Sequence, residues 1–158
     1  MNSEKPVKRR SYDSSRRRAQ ADETRTAIAT AARDLFIEQG YGTTTLAEVA
    51  TRAGVSVETI YKSLGPKAVL LHRAWDLTVG GDDQDIVLHE RPEVLAIRQE
   101  PDLSRRLMLQ ASFSARTAQR IAPFQLMVQA AAGADPAAAA MLEEMGRRLL
   151  CAPYFATV

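Results

Sequence analysis

Apolar positions recur at helical spacing along most of the chain, and glycine, proline and short polar runs cut that pattern into segments. Ile28, Ala31, Ala32, Leu35 and Phe36 fall at i, i+3, i+4, i+7 and i+8, the stripe of an amphipathic helix that the pattern starts near Asp22. Asp22 and Glu23 suit a helix N-terminus and Gly40 a C-terminal stop. A second helix opens in Thr43-Thr44-Thr45 and directs Leu46, Val49, Ala50 and Ala53 inward. Thr45 and Glu48 have the spacing of a capping box, with Thr44 as the alternative cap. Gly54 breaks this run, Ser56 can cap a third helix, and Gly65-Pro66 ends that helix quickly. Pro66 suits the first turn of a fourth helix carrying Leu70, Leu71, Ala74, Trp75 and Thr78 inward, which Gly80-Gly81 stops.

Beyond an acidic loop at Asp82-Asp83-Gln84-Asp85, the spacing predicts three more helices. Pro92 opens a short one to Arg98. Asp102 or Ser104 caps a longer one through Leu107, Met108, Ala111, Ala115 and Ala118 to Ile121, and Pro123 restarts the chain. Gly133 to Pro136 sets off an alanine-rich helix over 137–150. No strand pattern, glycine-rich phosphate loop or internal repeat is present. The expected fold class is all-α.

Composition narrows the function classes. Nearly half of the 158 residues are apolar and a quarter charged, enough for a real core. The longest apolar runs fall far short of the roughly 20 residues of a membrane span. The N-terminus is basic but no apolar segment follows it, so no secretory signal is read and a cytoplasmic protein is expected. A single cysteine, Cys151, excludes an internal disulfide and a thiolate metal cluster. Residues 1–73 hold 13 Lys+Arg against 8 Asp+Glu, and residues 74–158 hold 8 against 11. A basic first half and an acidic second half fit a nucleic-acid head with a different body.

Catalytic chemistry finds no support in the pattern. His72 and Asp76 are one helical turn apart but lack a third metal ligand, and His89 lies in a loop. Cys151 has no histidine at a suggestive spacing. The expectation is no enzyme, no metal and no cofactor.

The unit from Thr44 to Lys67 carries the functional signal. Two short helices joined by Ala53-Gly54-Val55 have the plan of a helix-turn-helix, with Val55 and Ile60 locking the second helix onto the first. The free face of that second helix holds Val57, Glu58, Thr59, Tyr61, Lys62 and Ser63, a mixture suited to base edges, thymine methyls and phosphates in a major groove.

"LFIEQGY" followed by "TTLAEVATRAGVSVETIYKSLGPKAVLL" resembles the DNA-binding head of the TetR family of bacterial transcriptional regulators, over roughly residues 24–75. The likeness implies a cap and phosphate contact at Thr44, Thr45 near the groove, and Val57, Glu58 and Thr59 at base edges. It further implies backbone or base contacts from Tyr61 and Lys62, and a phosphate clamp at Lys67. Leu64 stands where the family usually has an aromatic residue, with another often near Ser63. Three divisions are expected: a disordered basic arm at 1–21, a helix-turn-helix domain at 22–68, and a partial helical regulatory domain at 69–158. In the arm, Arg16, Arg17 and Arg18 are placed to reach phosphates or a minor groove, alongside Lys8-Arg9-Arg10.

The resemblance also implies double-stranded DNA with a palindromic operator as partner, a small-molecule inducer, and repression relieved by that ligand. Trp75, Met108, Phe113, Arg116, Phe124 and Met127 are the candidate pocket residues, with core packing as the competing role. Family members continue for two further long helices that build a four-helix dimer interface, whereas this sequence stops at "CAPYFATV". A shortened body is therefore expected, with a homodimer if that body suffices. The alternatives are a truncated regulator acting mainly through protein–protein interaction, and an RNA or acidic-partner binder using the basic arm alone.

Overall fold

The computed structural model describes residues 14–80 and 90–150, so Lys8-Arg9-Arg10, the acidic run after Gly81, His89 and Cys151 lie outside the described residues. Seven helices occupy them: α1 Ser14–Gln39, α2 Leu46–Ala53, α3 Val57–Ser63, α4 Lys67–Gly80, α5 Pro92–Gln99, α6 Leu103–Ala132 and α7 Pro136–Leu150. The all-α class holds, and none of these helices is long and apolar enough to cross a membrane.

The first four helices follow the apolar spacing. Ile28, Ala31, Ala32, Leu35 and Phe36 of α1, Val49 and Ala50 of α2, Ile60 of α3 and Leu70, Leu71, Ala74 and Trp75 of α4 are all buried together. Phe36 meets the edge of Tyr41 with ring centroids 5.1 Å apart, which closes the end of α1 over this core.

The start of α1 differs from expectation. It begins at Ser14, so Arg16, Arg17 and Arg18 lie on exposed helical turns rather than on a structureless arm. Residues 15–21 lack an apolar period, but arginine, alanine and glutamine are strong helix formers and extend the helix outward from its anchored half. Asp22 and Glu23 are consequently mid-helix, where Asp22 pairs with Arg25 at 2.5 Å.

The second difference is at Pro123, which sits inside α6 instead of dividing it. Proline removes the amide that would bond the carbonyl four residues back, at a cost of roughly 3 kcal/mol. Burial of Ile121, Phe124, Met127 and Val128 outweighs that loss, since each large apolar side chain removed from water contributes roughly 1.5–3 kcal/mol. Asp102, one of the two expected caps, accepts the Arg105 amide at 2.7 Å.

The turn between α6 and α7 is short and folds α7 back along α6. Ala138, Met141 and Met145 of α7 join Phe124, Met127 and Val128 of α6 and Trp75 of α4 in the same apolar cluster that holds α1. Arg120 of α6 fastens the end of α4, its guanidinium donating to the carbonyls of Thr78 and Val79, both at 2.8 Å. A separate small cluster of Val94, Ile97 and Phe113 packs α5 on the first half of α6.

Candidate nucleic-acid interface

The α2–α3 unit is built from local bonds. Thr45 caps α2, its hydroxyl oxygen accepting the Glu48 amide at 3.2 Å while the Glu48 carboxylate accepts the Thr45 amide at 2.7 Å. The Thr45 amide first, then the Thr45 hydroxyl donating to the same carboxylate at 2.8 Å and the Gln39 side chain, hold the Glu48 carboxyl below its ordinary value of 4.5, with Lys67 adding a smaller effect. Gly54 ends α2 in the left-handed region at φ 68, ψ 31, where its amide turns back to the carbonyls of Ala50 and Thr51. The chain then reverses through Val55, and Ser56 caps α3 by accepting the Thr59 amide at 3.1 Å. Gly65, at φ 98, makes the second reversal and brings Lys67 to the start of α4.

This frame seats α3 by one fully buried side chain, Ile60, with Val55 and Leu64 packed at the edge of the core. Leu64, which stands where the family usually has an aromatic residue, is partly buried against that core. The opposite face of α3 stands free: Val57 is 36% and Tyr61 56% exposed. Glu58 and Lys62 are also exposed and pair across one turn at 2.6 Å. An exposed i,i+4 pair is worth only a few tenths of a kcal/mol, so either partner exchanges readily for a phosphate or a base.

Lys67 is held rather than extended. Its ammonium lies 4.3 Å from the centre of the Tyr41 ring and 3.4 Å from the Gly42 carbonyl. Partial burial lowers its pKa, against the support of Asp135 and Glu48. Burial is also the main cause that raises the Tyr41 phenol above its ordinary range.

Residues 28–74 match the family of bacterial regulatory proteins of the tetR type. The chain carries a TetR-family head. The match supports a DNA-binding head of the type found in TetR-type transcriptional regulators over these residues. No curated protein and no solved structure matches the chain.

Within the TetR-type head, the structure brings Thr45, Val57, Glu58, Tyr61 and Lys62 to the surface around α2 and α3. Thr44 departs from expectation. It is 2% exposed, and its hydroxyl donates to the Gly40 carbonyl at 2.8 Å, so it stitches the end of α1 and its side chain does not face a phosphate. The cap falls to Thr45 because only that residue has Glu48 three positions on.

Thr59 and Ser63 are half-buried on the flank of α3. The Thr59 hydroxyl lies 2.9 Å from that of Ser56, and Ser63 donates to the Thr59 carbonyl at 2.6 Å. Both hydroxyls already serve the helix. Tyr41 was visible in the sequence only as part of a motif; the cation seat it makes for Lys67 depends on a contact across the fold that no local spacing announces.

The six candidate pocket residues do not gather at one place. Trp75, Phe124 and Met127 share the main core, with the Trp75 and Phe124 rings 5.8 Å apart. Phe113 belongs to the separate cluster under α5, while Met108 and Arg116 are exposed on α6. Helical spacing alone cannot tell these positions apart, because the first half of α6 runs past the main core. Trp75 does carry a buried indole N–H with no hydrogen-bond partner among the described residues. His72 faces Glu144 of α7 at 3.2 Å, and no group of three or more metal-holding side chains occurs among the described residues.

Proposed function

We propose that the chain is a repressor that reads operator DNA with α3 and is released by a small molecule. The observation that carries this reading is the free face of α3, a helix anchored by the fully buried Ile60 between two glycine turns. Val57, Tyr61 and the exchangeable Glu58–Lys62 pair supply apolar, hydroxyl, acidic and basic groups for base edges. Thr45 and Lys67 flank α3 at the DNA backbone, and Arg16, Arg17 and Arg18 add positive charge on the exposed first turns of α1.

The body at 69–158 takes the regulatory role in this proposal. The unpartnered indole N–H of Trp75, buried beside Phe124 and Met127, supports a ligand that presents one hydrogen-bond acceptor within an apolar outline. Two copies bound to a palindromic operator would read half-sites about 34–36 Å apart or a multiple of that spacing. A ligand that favours a different spacing of the heads shifts the population off DNA. A regulator of this kind works in the cytoplasm.

Footprinting on the DNA upstream of the chain's own coding sequence tests the proposal. A protected inverted repeat overlapping a promoter, lost on addition of a small apolar acceptor compound, is the expected result. Protection without sequence preference, or a ligand without effect on it, overturns the repressor reading.

A further inference from the structure

The seat of Lys67 is anchored through the core on both of its sides. Gly40, at φ 92, ends α1 and turns Tyr41 inward, where the residue is 3% exposed and its ring is fixed against Phe36. The Thr44 hydroxyl, donating to the Gly40 carbonyl, keeps this turn closed. On the other side, Leu70, Leu71, Ala74 and Trp75 sink α4 into the same cluster that holds Phe36 and Tyr41. Ring and lysine are thus held by one core, and the ammonium lies 4.3 Å from the ring centre. An ammonium has three donors, and the bond given to the Gly42 carbonyl, 3.4 Å long, uses one of them.

Such a seat orders a cation without setting a charge of its own against the ligand. A lysine on an open surface explores many rotamers, and gripping a phosphate removes that freedom. At Lys67 the fold has removed much of it before DNA arrives. Lys67 also starts α4, where the positive end of the helix dipole disfavours a cation. The ring face offsets that cost while carrying no net charge to repel a phosphate.

We propose that Tyr41, at the end of α1, is a positioning residue for the DNA-backbone contact: its ring holds the Lys67 ammonium in place, so the lysine meets a phosphate already ordered. The proposal rests on the reading of Lys67 as a phosphate contact. It gives the aromatic ring after Gly40 a part in DNA affinity beyond filling the core.

Tyr41→Phe keeps the ring, and a ring-fluorinated phenylalanine at the same position keeps its shape while drawing charge from its face. Each is made alone and together with Lys67→Gln. These full-length proteins, wild type and Lys67→Gln are compared on a labelled random-sequence duplex by fluorescence anisotropy at low salt, with melting temperatures alongside. Lys67→Gln should weaken binding. Tyr41→Phe should bind within about twofold of wild type, and the fluorinated protein about two- to fivefold more weakly at a similar melting temperature. In the Lys67→Gln background fluorination should change nothing. In wild type the ε-methylene protons of Lys67 should show an upfield ring-current shift by NMR, and an unshifted signal overturns the seat itself. Weaker binding by Lys67→Gln with no effect of fluorination sinks the inference and leaves the phosphate contact standing. No effect of Lys67→Gln removes that contact and the proposal with it. A loss already complete in Tyr41→Phe assigns the effect to the hydroxyl, and a loss that persists without Lys67 refutes the route through that lysine. Tighter binding on fluorination would mean that the ring withholds Lys67 from DNA, the reverse of the proposal.

Discussion

Thr44→Val tests whether this residue builds the head or touches DNA. The substitution keeps the shape of the side chain and removes a buried hydroxyl that donates to the Gly40 carbonyl at 2.8 Å and approaches the Leu35 carbonyl at 3.3 Å. The Gly40 carbonyl retains two other donors, the Thr44 amide at 3.3 Å and the Thr43 hydroxyl at 3.1 Å, so it is not orphaned. The cost is therefore one good internal hydrogen bond plus a methyl set against polar oxygens, about 1–2 kcal/mol. With a urea dependence of about 2 kcal/mol per molar, the midpoint should fall by about 0.5–1 M. Thr44→Ser, which keeps the hydroxyl, should recover most of that loss. Under conditions where both proteins are folded, affinity for DNA should change less than about twofold. A lost phosphate contact would cost about 1.4 kcal/mol, or tenfold. An unshifted urea midpoint with a tenfold loss of DNA affinity would refute the reasoning.

Three other substitutions probe the frame. Gly54→Ala places a Cβ in open space at φ 68, so it should cost only the left-handed backbone penalty of about 1–2 kcal/mol, read as a urea midpoint shift, and Gly54→Asn less. Glu48→Gln tests the capping box through pH. A carboxyl whose folded pKa is depressed contributes stability that is present above its unfolded value and lost as pH falls through the folded one. The wild type should therefore out-melt Glu48→Gln at neutral pH, with the gap closing on acidification below about pH 4; a gap independent of pH would count against an ionised cap. Arg120→Gln removes both guanidinium bonds to the end of α4 and should cost about 1–2 kcal/mol, with faster hydrogen exchange in the last turn of α4.

Local signals were legible in the sequence and long-range ones were not. The buried stripe of α1, the Thr45–Glu48 box, the Gly54 turn and the Ser56 cap all act within a few residues, so spacing identified them. Arg16–Arg18 escaped because propensity without an apolar period leaves no pattern to find. Pro123 misled because the breaker is a local fact, whereas the burial of Ile121 and Phe124 that overrides it is tertiary. Thr44 and Thr45 are neighbours of equal capping chemistry; Glu48 three positions on favours Thr45 as the cap, while the approach of Thr44 to Gly40, which gives Thr44 its own role, is not legible from spacing. The seat of Lys67 on the Tyr41 ring joins two segments separated by the whole of α2 and α3, which a single sequence does not bring together.

The central claim is that α3 gives the head its sequence preference. A duplex selected from a randomised pool and a scrambled version of it are titrated at one salt concentration, against wild type and Tyr61→Ala. The account predicts that wild type prefers the selected duplex by on the order of 10³ or more. Tyr61→Ala should lose at least about tenfold of that preference while keeping its affinity for the scrambled duplex. A preference near one for wild type, or an equal loss on both duplexes, would contradict it.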